Sequence, residues 1–227
     1  MPTFKLPIDI HDRLNPALWN GDKPHDEVQR ALLRIAREYY KFLKVKAPIR
    51  DILISGSQAN YNYSQYSDID LHLVFDFSDI QCDEPIIELF DSKRKLWKKN
   101  HDIDIYGIPV EVYAEDSLNP AVSACYSLLK GQWVRHPSTA QVNYNLGKVK
   151  QSVNTWSRLI LFAIKQQDVD LCKQVMALLS HYRKLGLKAY GEFGTPNLVY
   201  KSLRNMQLLE RLNTEIHDLE DELLSLD

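Results

Sequence analysis

Ile52-Leu53-Ile54-Ser55-Gly56-Ser57, then ten residues, then Asp68-Ile69-Asp70-Leu71-His72-Leu73-Val74 form the stretch on which the fold turns. The first run is apolar and ends in a Gly-Ser turn, so it reads as a buried strand. The second alternates polar and aliphatic residues and reads as another strand, with a short polar helix or loop between the two. Asp68 and Asp70 are two apart, so a strand directs both carboxylates to one face and sends Ile69, Leu71 and Leu73 into a core on the other. Carboxylates held side by side repel, and a bound divalent cation is the usual relief. Gly56 lets the backbone approach a ligand closely, and Ser57 offers a hydroxyl and an N–H to a phosphate. A phosphate-facing turn beside paired cation-binding carboxylates describes a phosphoryl- or nucleotidyl-transfer site.

Upstream of this stretch, residues 1–24 are rich in proline and polar residues. They carry enough apolar positions (Leu6, Ile8, Leu14, Leu18, Trp19) to read as an arm packed on the core. A helix is expected from Pro24 to about Leu43. Asp26 and Glu27 lie in its first turn, where the helix dipole favours acids, and Val28, Leu32, Ile35, Tyr39 and Phe42 recur at helical spacing. Pro48 separates it from the strand.

Downstream, the second strand runs out at Asp76, and Asp83 is placed to cap a helix starting at Glu84-Pro85 and carrying Ile86, Ile87, Leu89, Phe90, Leu96 and Trp97. Its end is basic: Lys93-Arg94-Lys95 and Lys98-Lys99. These residues complement the negative end of the helix; the functional alternative is a patch that meets a substrate phosphate. His101 to Tyr106 and Ile108 to Tyr113 then read as two strands joined by a tight connection at Gly107-Ile108-Pro109. A second Asp-x-Asp, Asp102 and Asp104, lacks a Gly-Ser turn before it and reads as a solvated face.

From Asn119-Pro120 the pattern turns helical, giving an α+β unit over 1–118 and an all-helical unit over 119–227. Val122 to Leu129 reads as a short helix. Longer helices follow on the stripes Val149, Val153, Trp156, Ile160, Ile164 and Leu171, Val175, Leu178, Tyr182, Leu185. A last helix is expected from Pro196 to the C-terminus. Its Leu209, Leu212, Ile216, Leu219, Leu223 and Leu226 form a coiled-coil-like seam, which packs on its own unit or serves as a homodimer contact.

A formal net charge of −2 excludes a global basic field that would draw the chain onto nucleic acid. Cys82, Cys125 and Cys172 are scattered without metal-ligand spacing and fit a reducing compartment. Met1 to Ile10 has no long apolar run and no stretch approaches membrane length, so a cytoplasmic chain without a membrane partner is expected.

The Gly-Ser turn, the gap of ten and the Asp-Ile-Asp together resemble the signature of the DNA polymerase beta-like nucleotidyltransferase superfamily. That signature continues with a third acid in a later strand, which Glu111 between Val110 and Val112 matches. The resemblance implies a polymerase beta-type palm, a small mixed sheet with flanking helices, ahead of the helical domain. It also implies an enzyme that moves a nucleoside monophosphate from a nucleoside triphosphate to a hydroxyl, with release of pyrophosphate.

Asp68, Asp70 and Glu111 would then be catalytic and hold Mg2+ or Mn2+, and Gly56 and Ser57 would position the β and γ phosphates. Basic residues are expected on the opposite wall of the cleft. The candidates are Arg183, Lys184 and Lys188 at the end of one helix, with Lys201 and Arg204 on the next. Tyr61, Tyr63 and Tyr66 either stack on a base or cover the edge of the core. His72 shares the face of the carboxylates as a supporting residue.

Pro7-Ile8-Asp9-Ile10-His11-Asp12, Leu14-Asn15-Pro16, Ser55 to Leu71, Gly191-Glu192-Phe193 and Asn197-Leu198-Val199-Tyr200-Lys201 further resemble nucleotidyltransferase-like proteins of tailed bacteriophages. That similarity implies a phage or prophage origin and location in the host cytoplasm. It leaves the acceptor open among an RNA end, a protein and a small molecule. A module that keeps the fold without catalysis, to bind a nucleotide or a host protein, is the alternative.

Overall fold

A computed structural model describes residues 3–80, 85–118, 123–138 and 144–225. The chain divides into two compact units, Asp9–Thr139 and Met1–Ile8 with Ala140–Asp227. The division falls later than the expected boundary at 118/119. Residues past that point still build the sheet, and the first eight residues belong with the helices.

The sheet unit begins with a short antiparallel pair, β1 (Trp19–Asn20) and β2 (Lys23–Pro24), followed by α1 (Asp26–Leu43). It continues through β3 (Asp51–Ser55), β4 (Ile69–Phe75), α2 (Ile86–Asn100), β5 (Asp104–Ile105), β6 (Ile108–Asp116), β7 (Cys125–Ser127) and β8 (Gln132–Arg135). Six strands form one mixed sheet in the order β5-β6-β4-β3-β7-β8. Only β4 and β6 run parallel, and α2 lies in the connection between them, as a parallel pair requires. The fold is therefore α+β with helices on a mixed sheet.

Cross-strand partners Ile52 and Leu73, Ile54 and Leu71, and Leu71 and Val112 share one face of the sheet. That face is buried beneath Val28, Leu32, Ala36, Tyr39 and Leu43 of α1 and Phe90 and Trp97 of α2. Each fully buried aliphatic or aromatic side chain contributes roughly 1.5–3 kcal/mol. Because strand side chains alternate, the same register leaves Ser55, Asp70, His72, Glu111 and Tyr113 on the other face.

The expected arm is built in part as expected: Leu14, Leu18 and Trp19 join this core, whereas Ile8 is buried in the helical unit. Asp102 and Asp104 are exposed. Asp104 Oδ1 accepts the Gly107 N–H (2.7 Å) and closes the Tyr106-Gly107 turn, where both residues have positive φ.

Two expectations are corrected. The helix over Val122 to Leu129 is instead β7 and a turn into β8; Val122 itself, like Cys82, Asp83, Asn119-Pro120 and Leu226, lies outside the described residues. Cys125, Tyr126 and Ser127 are all buried, so the strand shows no alternation to distinguish it from a helix segment. The last helix is broken into α5 (Thr195–Asn205) and α6 (Leu208–Leu224), after α3 (Leu146–Gln166) and α4 (Val169–Tyr190). Gln207 between them takes a left-handed conformation (φ 60°), which ends α5 and lets Leu208, Leu209 and Leu212 turn into the core.

Within the helical unit the seam residues Leu209, Leu212 and Leu219 are buried, and Leu223 is exposed. The buried stripe of α4 is Cys172, Val175, Leu179 and Gly186; Leu178 and Leu185 face outward. Gly186 packs directly against Pro196, since a β-carbon there would stand 2.4 Å from the proline ring. No helix among the described residues is long and apolar enough to cross a membrane.

Candidate metal centre

Asp70 on β4 and Glu111 on β6 are register partners, which puts their carboxylates side by side above the sheet. Asp68 sits just before β4 begins rather than on the strand, yet its carboxylate joins theirs. One oxygen from each of Asp68, Asp70 and Glu111 lies within 4.8 Å of the others, and all three residues are half-buried. Oxygen donors so grouped suit a hard divalent cation such as Mg2+ or Mn2+.

Asp70 also pairs with Ser55, the last residue of β3. Gly56 follows with φ +76° and ψ −159°, and a β-carbon there would fall 2.0 Å from Asp70 Oδ2. Glycine is thus required twice, for the backbone angle and for the space the carboxylate fills. Ser57 starts a 3-10 turn, Ser57–Ala59, and its hydroxyl donates to Ser67 Oγ (2.8 Å).

Gln58, almost wholly buried, ties this turn to its surroundings. Its Oε1 accepts from Asn15 Nδ2 (3.0 Å), its Nε2 donates to Ser67 O (3.2 Å), and its carbonyl accepts from Trp19 Nε1 (2.8 Å). The Leu14-Asn15-Pro16 motif therefore braces the Gly-Ser turn. Tyr63 stacks on His11 with ring centroids 3.8 Å apart, and Tyr61 packs against the core.

Lys98, expected only as part of a basic helix end or a phosphate-meeting patch, and Tyr113, given no role in the sequence, complete the surroundings of Glu111. Lys98, in the last turn of α2, forms an ion pair with Glu111 Oε1, and Tyr113 Oη donates to Glu111 Oε2 (2.6 Å). Burial pushes the Glu111 carboxyl up, but the hydrogen bonds from Lys98 and Tyr113 and the charges of Lys98 and Arg94 outweigh it and hold the group below its usual range. Burial, with the neighbouring charges of Asp70 and Glu111, pushes the Tyr113 phenol far up, so it remains a donor. Tyr113 was readable as a neighbour, being two residues beyond Glu111 on the same strand face. The pairing of Lys98 depends on where α2 docks.

His72 occupies the same face. Its Nε2 lies 2.9 Å from Ser55 Oγ, and its ring stacks on Tyr113 with centroids 4.8 Å apart. Its Nδ1 is 2.8 Å from Glu115 Oε2, in a geometry not aligned as a hydrogen bond.

Arg183, Lys184, Lys188, Lys201 and Arg204 belong to the helical unit. Arg183 donates through Nε to Asn197 Oδ1 (3.1 Å) and lies 4.3 Å from the centroid of the Tyr200 ring, while Asn197 Nδ2 donates to Glu192 O (2.7 Å). Arg183 thus pins the α4–α5 connection. Lys184, Lys188 and Arg204 are exposed and Lys201 is half-buried.

Comparison with protein-family models, with curated proteins and with solved structures finds no match for this chain.

Proposed function

We propose that the sheet unit is a polymerase beta-type palm and that the protein is a metal-dependent nucleotidyltransferase. The observation that carries this reading is the convergence of Asp68, Asp70 and Glu111 behind a glycine whose missing β-carbon makes room for Asp70. A carboxylate cluster facing a glycine turn supports phosphoryl chemistry, because three acid oxygens within 4.8 Å of one another suit a hard divalent cation.

Asp68, Asp70 and Glu111 would hold the magnesium or manganese, which when bound neutralises the charge that grows on the phosphate oxygens. The backbone at Gly56 and Ser57 faces the β and γ phosphates. The acceptor oxygen forms a bond to the α phosphorus, and the bond from that phosphorus to the bridging β-phosphate oxygen breaks. Pyrophosphate leaves with the electron pair, and the hydroxyl proton passes to a carboxylate oxygen of Glu111. Tyr113 and Lys98 orient that carboxylate from both sides.

One observation favours a non-catalytic binding module instead: both Glu111 oxygens already have partners within the chain. Incubation with each nucleoside triphosphate labelled at the α phosphate, with Mg2+ or Mn2+ and separate RNA, protein and small-molecule acceptors, distinguishes the two. Label in one fraction, absent with Asp70→Asn, supports transfer. Metal-dependent triphosphate binding with no label in any fraction would replace it with the binding module.

A further inference from the structure

A cavity of about 350 Å3 opens between the end of α2 and the start of β6, and Glu111 is part of its wall. An occupant therefore has Glu111 within reach, while Asp68 and Asp70 are not part of the lining. Its rim carries Arg94, Lys98 and Lys99. Its apolar side includes Val110 and Trp97, and His101 closes over Trp97 with ring centroids 3.9 Å apart.

The three cations differ in what occupies them. Arg94 is fixed by Asp91 (2.7 Å) and lies 5.3 Å from the Tyr113 ring centroid, so it shapes the wall. Lys98 is bound to Glu111, and Lys99 has no ion-pair partner among the described residues. A cation held by Glu111 would take over the carboxylate charge and leave Lys98 beside Lys99 at the cavity mouth, two ammonium groups against the single remaining carboxylate of the lining, Asp102. An anionic group on the occupant is what two such ammonium groups recognise. The volume sits near the lower end of the roughly 300–1,000 Å3 range of small-molecule sites, too small for a nucleic-acid helix or a folded protein.

We propose that this cavity is the acceptor site, and that the acceptor is a small hydroxyl compound bearing a phosphate or carboxylate held by Lys98 and Lys99, its hydroxyl directed at Glu111. The assignment rests on the nucleotidyl-transfer reading. Arg94, Trp97 and His101 shape the cavity, and Lys98 and Lys99 select the charge.

The test is calorimetric titration of the full chain with Mg2+ and no triphosphate, using ribose 5-phosphate, ribose and a single-stranded RNA dodecamer as probes. Ribose 5-phosphate binds roughly tenfold or more tighter than ribose, and Lys99→Gln weakens it by roughly tenfold, the scale of one charge-assisted hydrogen bond. Pro109→Trp, which fills the cavity from an exposed position, abolishes binding while circular dichroism shows the fold intact. Ribose 5-phosphate binding that is absent, or equal in both variants, overturns the proposal. Tighter binding of the RNA overturns it in favour of a polynucleotide end. Binding without label transfer in the wild type sinks the transfer reading and leaves the cavity an anion-binding site only, whereas transfer without cavity binding sinks only the acceptor site.

Discussion

Asp70 fills the space that a side chain at Gly56 would need: a β-carbon there would lie 2.0 Å from Asp70 Oδ2, and Gly56 has φ +76°. Gly56→Ala therefore displaces the carboxylate as well as straining the backbone. It should cost about 1–3 kcal/mol of stability and weaken Mn2+ binding by roughly tenfold or more. Gly21 is the control, with φ +62° and nothing within 4 Å. Gly21→Ala should cost about 1 kcal/mol through backbone strain alone, with Mn2+ binding unchanged. Denaturant midpoints and Mn2+ calorimetry on both variants check the pair.

Lys98 pairs with Glu111 and would therefore compete with a cation held there. With no nucleotide present, Lys98→Ala should strengthen Mn2+ binding by roughly two- to fivefold, the modest effect expected of a lysine whose side chain is 68% exposed. The same variant should slow label transfer. Unchanged Mn2+ affinity would show that the ion pair does not oppose the metal.

Gln58 links Asn15, Trp19 and Ser67 across the base of the Gly-Ser turn. Gln58→Ala leaves buried groups without partners, so about 1–3 kcal/mol of stability should be lost. Label transfer should fall even well below the unfolding temperature, because the turn proposed to face the phosphates loses its brace. Chemical denaturation and a transfer assay at one temperature separate these effects.

Tyr39 is fully buried and its hydroxyl has no hydrogen-bond partner among the described residues. Burial raises its phenol from the ordinary 10 to about 12, with Arg94 opposing and Asp91 adding to the shift. The fold thus favours the neutral form. Its contribution to stability is complete below pH 10 and is lost as pH rises from there towards 12. Tyr39→Phe should remove this alkaline component and, by deleting an unpaired hydroxyl, raise neutral stability by about 1 kcal/mol. Thermal melts from pH 7 to pH 11.5 measure both effects.

The sequence made the centre of the sheet unit legible because its signals are local. Asp70 and Glu111 each interrupt an alternating apolar strand, and period-two geometry alone assigns them to a polar face. What escaped depends on tertiary placement. Cys125-Tyr126-Ser127 is buried on both sides and shows no strand period. Gln207 breaks a helix without glycine or proline, just ahead of the leucine seam that begins at Leu209. Lys98 lies in a basic run suited to any helix end, and only the docking of α2 against β6 gives it Glu111. Arg183, expected to meet a phosphate, is partly spent on Asn197 and Tyr200, a use set by the packing of α4 on α5.

The most direct measurement is Mn2+ binding by paramagnetic resonance to the wild type, Asp70→Asn and Glu111→Gln, without nucleotide. The wild type should bind Mn2+ with saturation, and each variant should bind roughly tenfold or more weakly, since each removes one of the three carboxylates that meet within 4.8 Å. Equal binding by all three proteins would contradict the metal centre and, with it, the proposed chemistry.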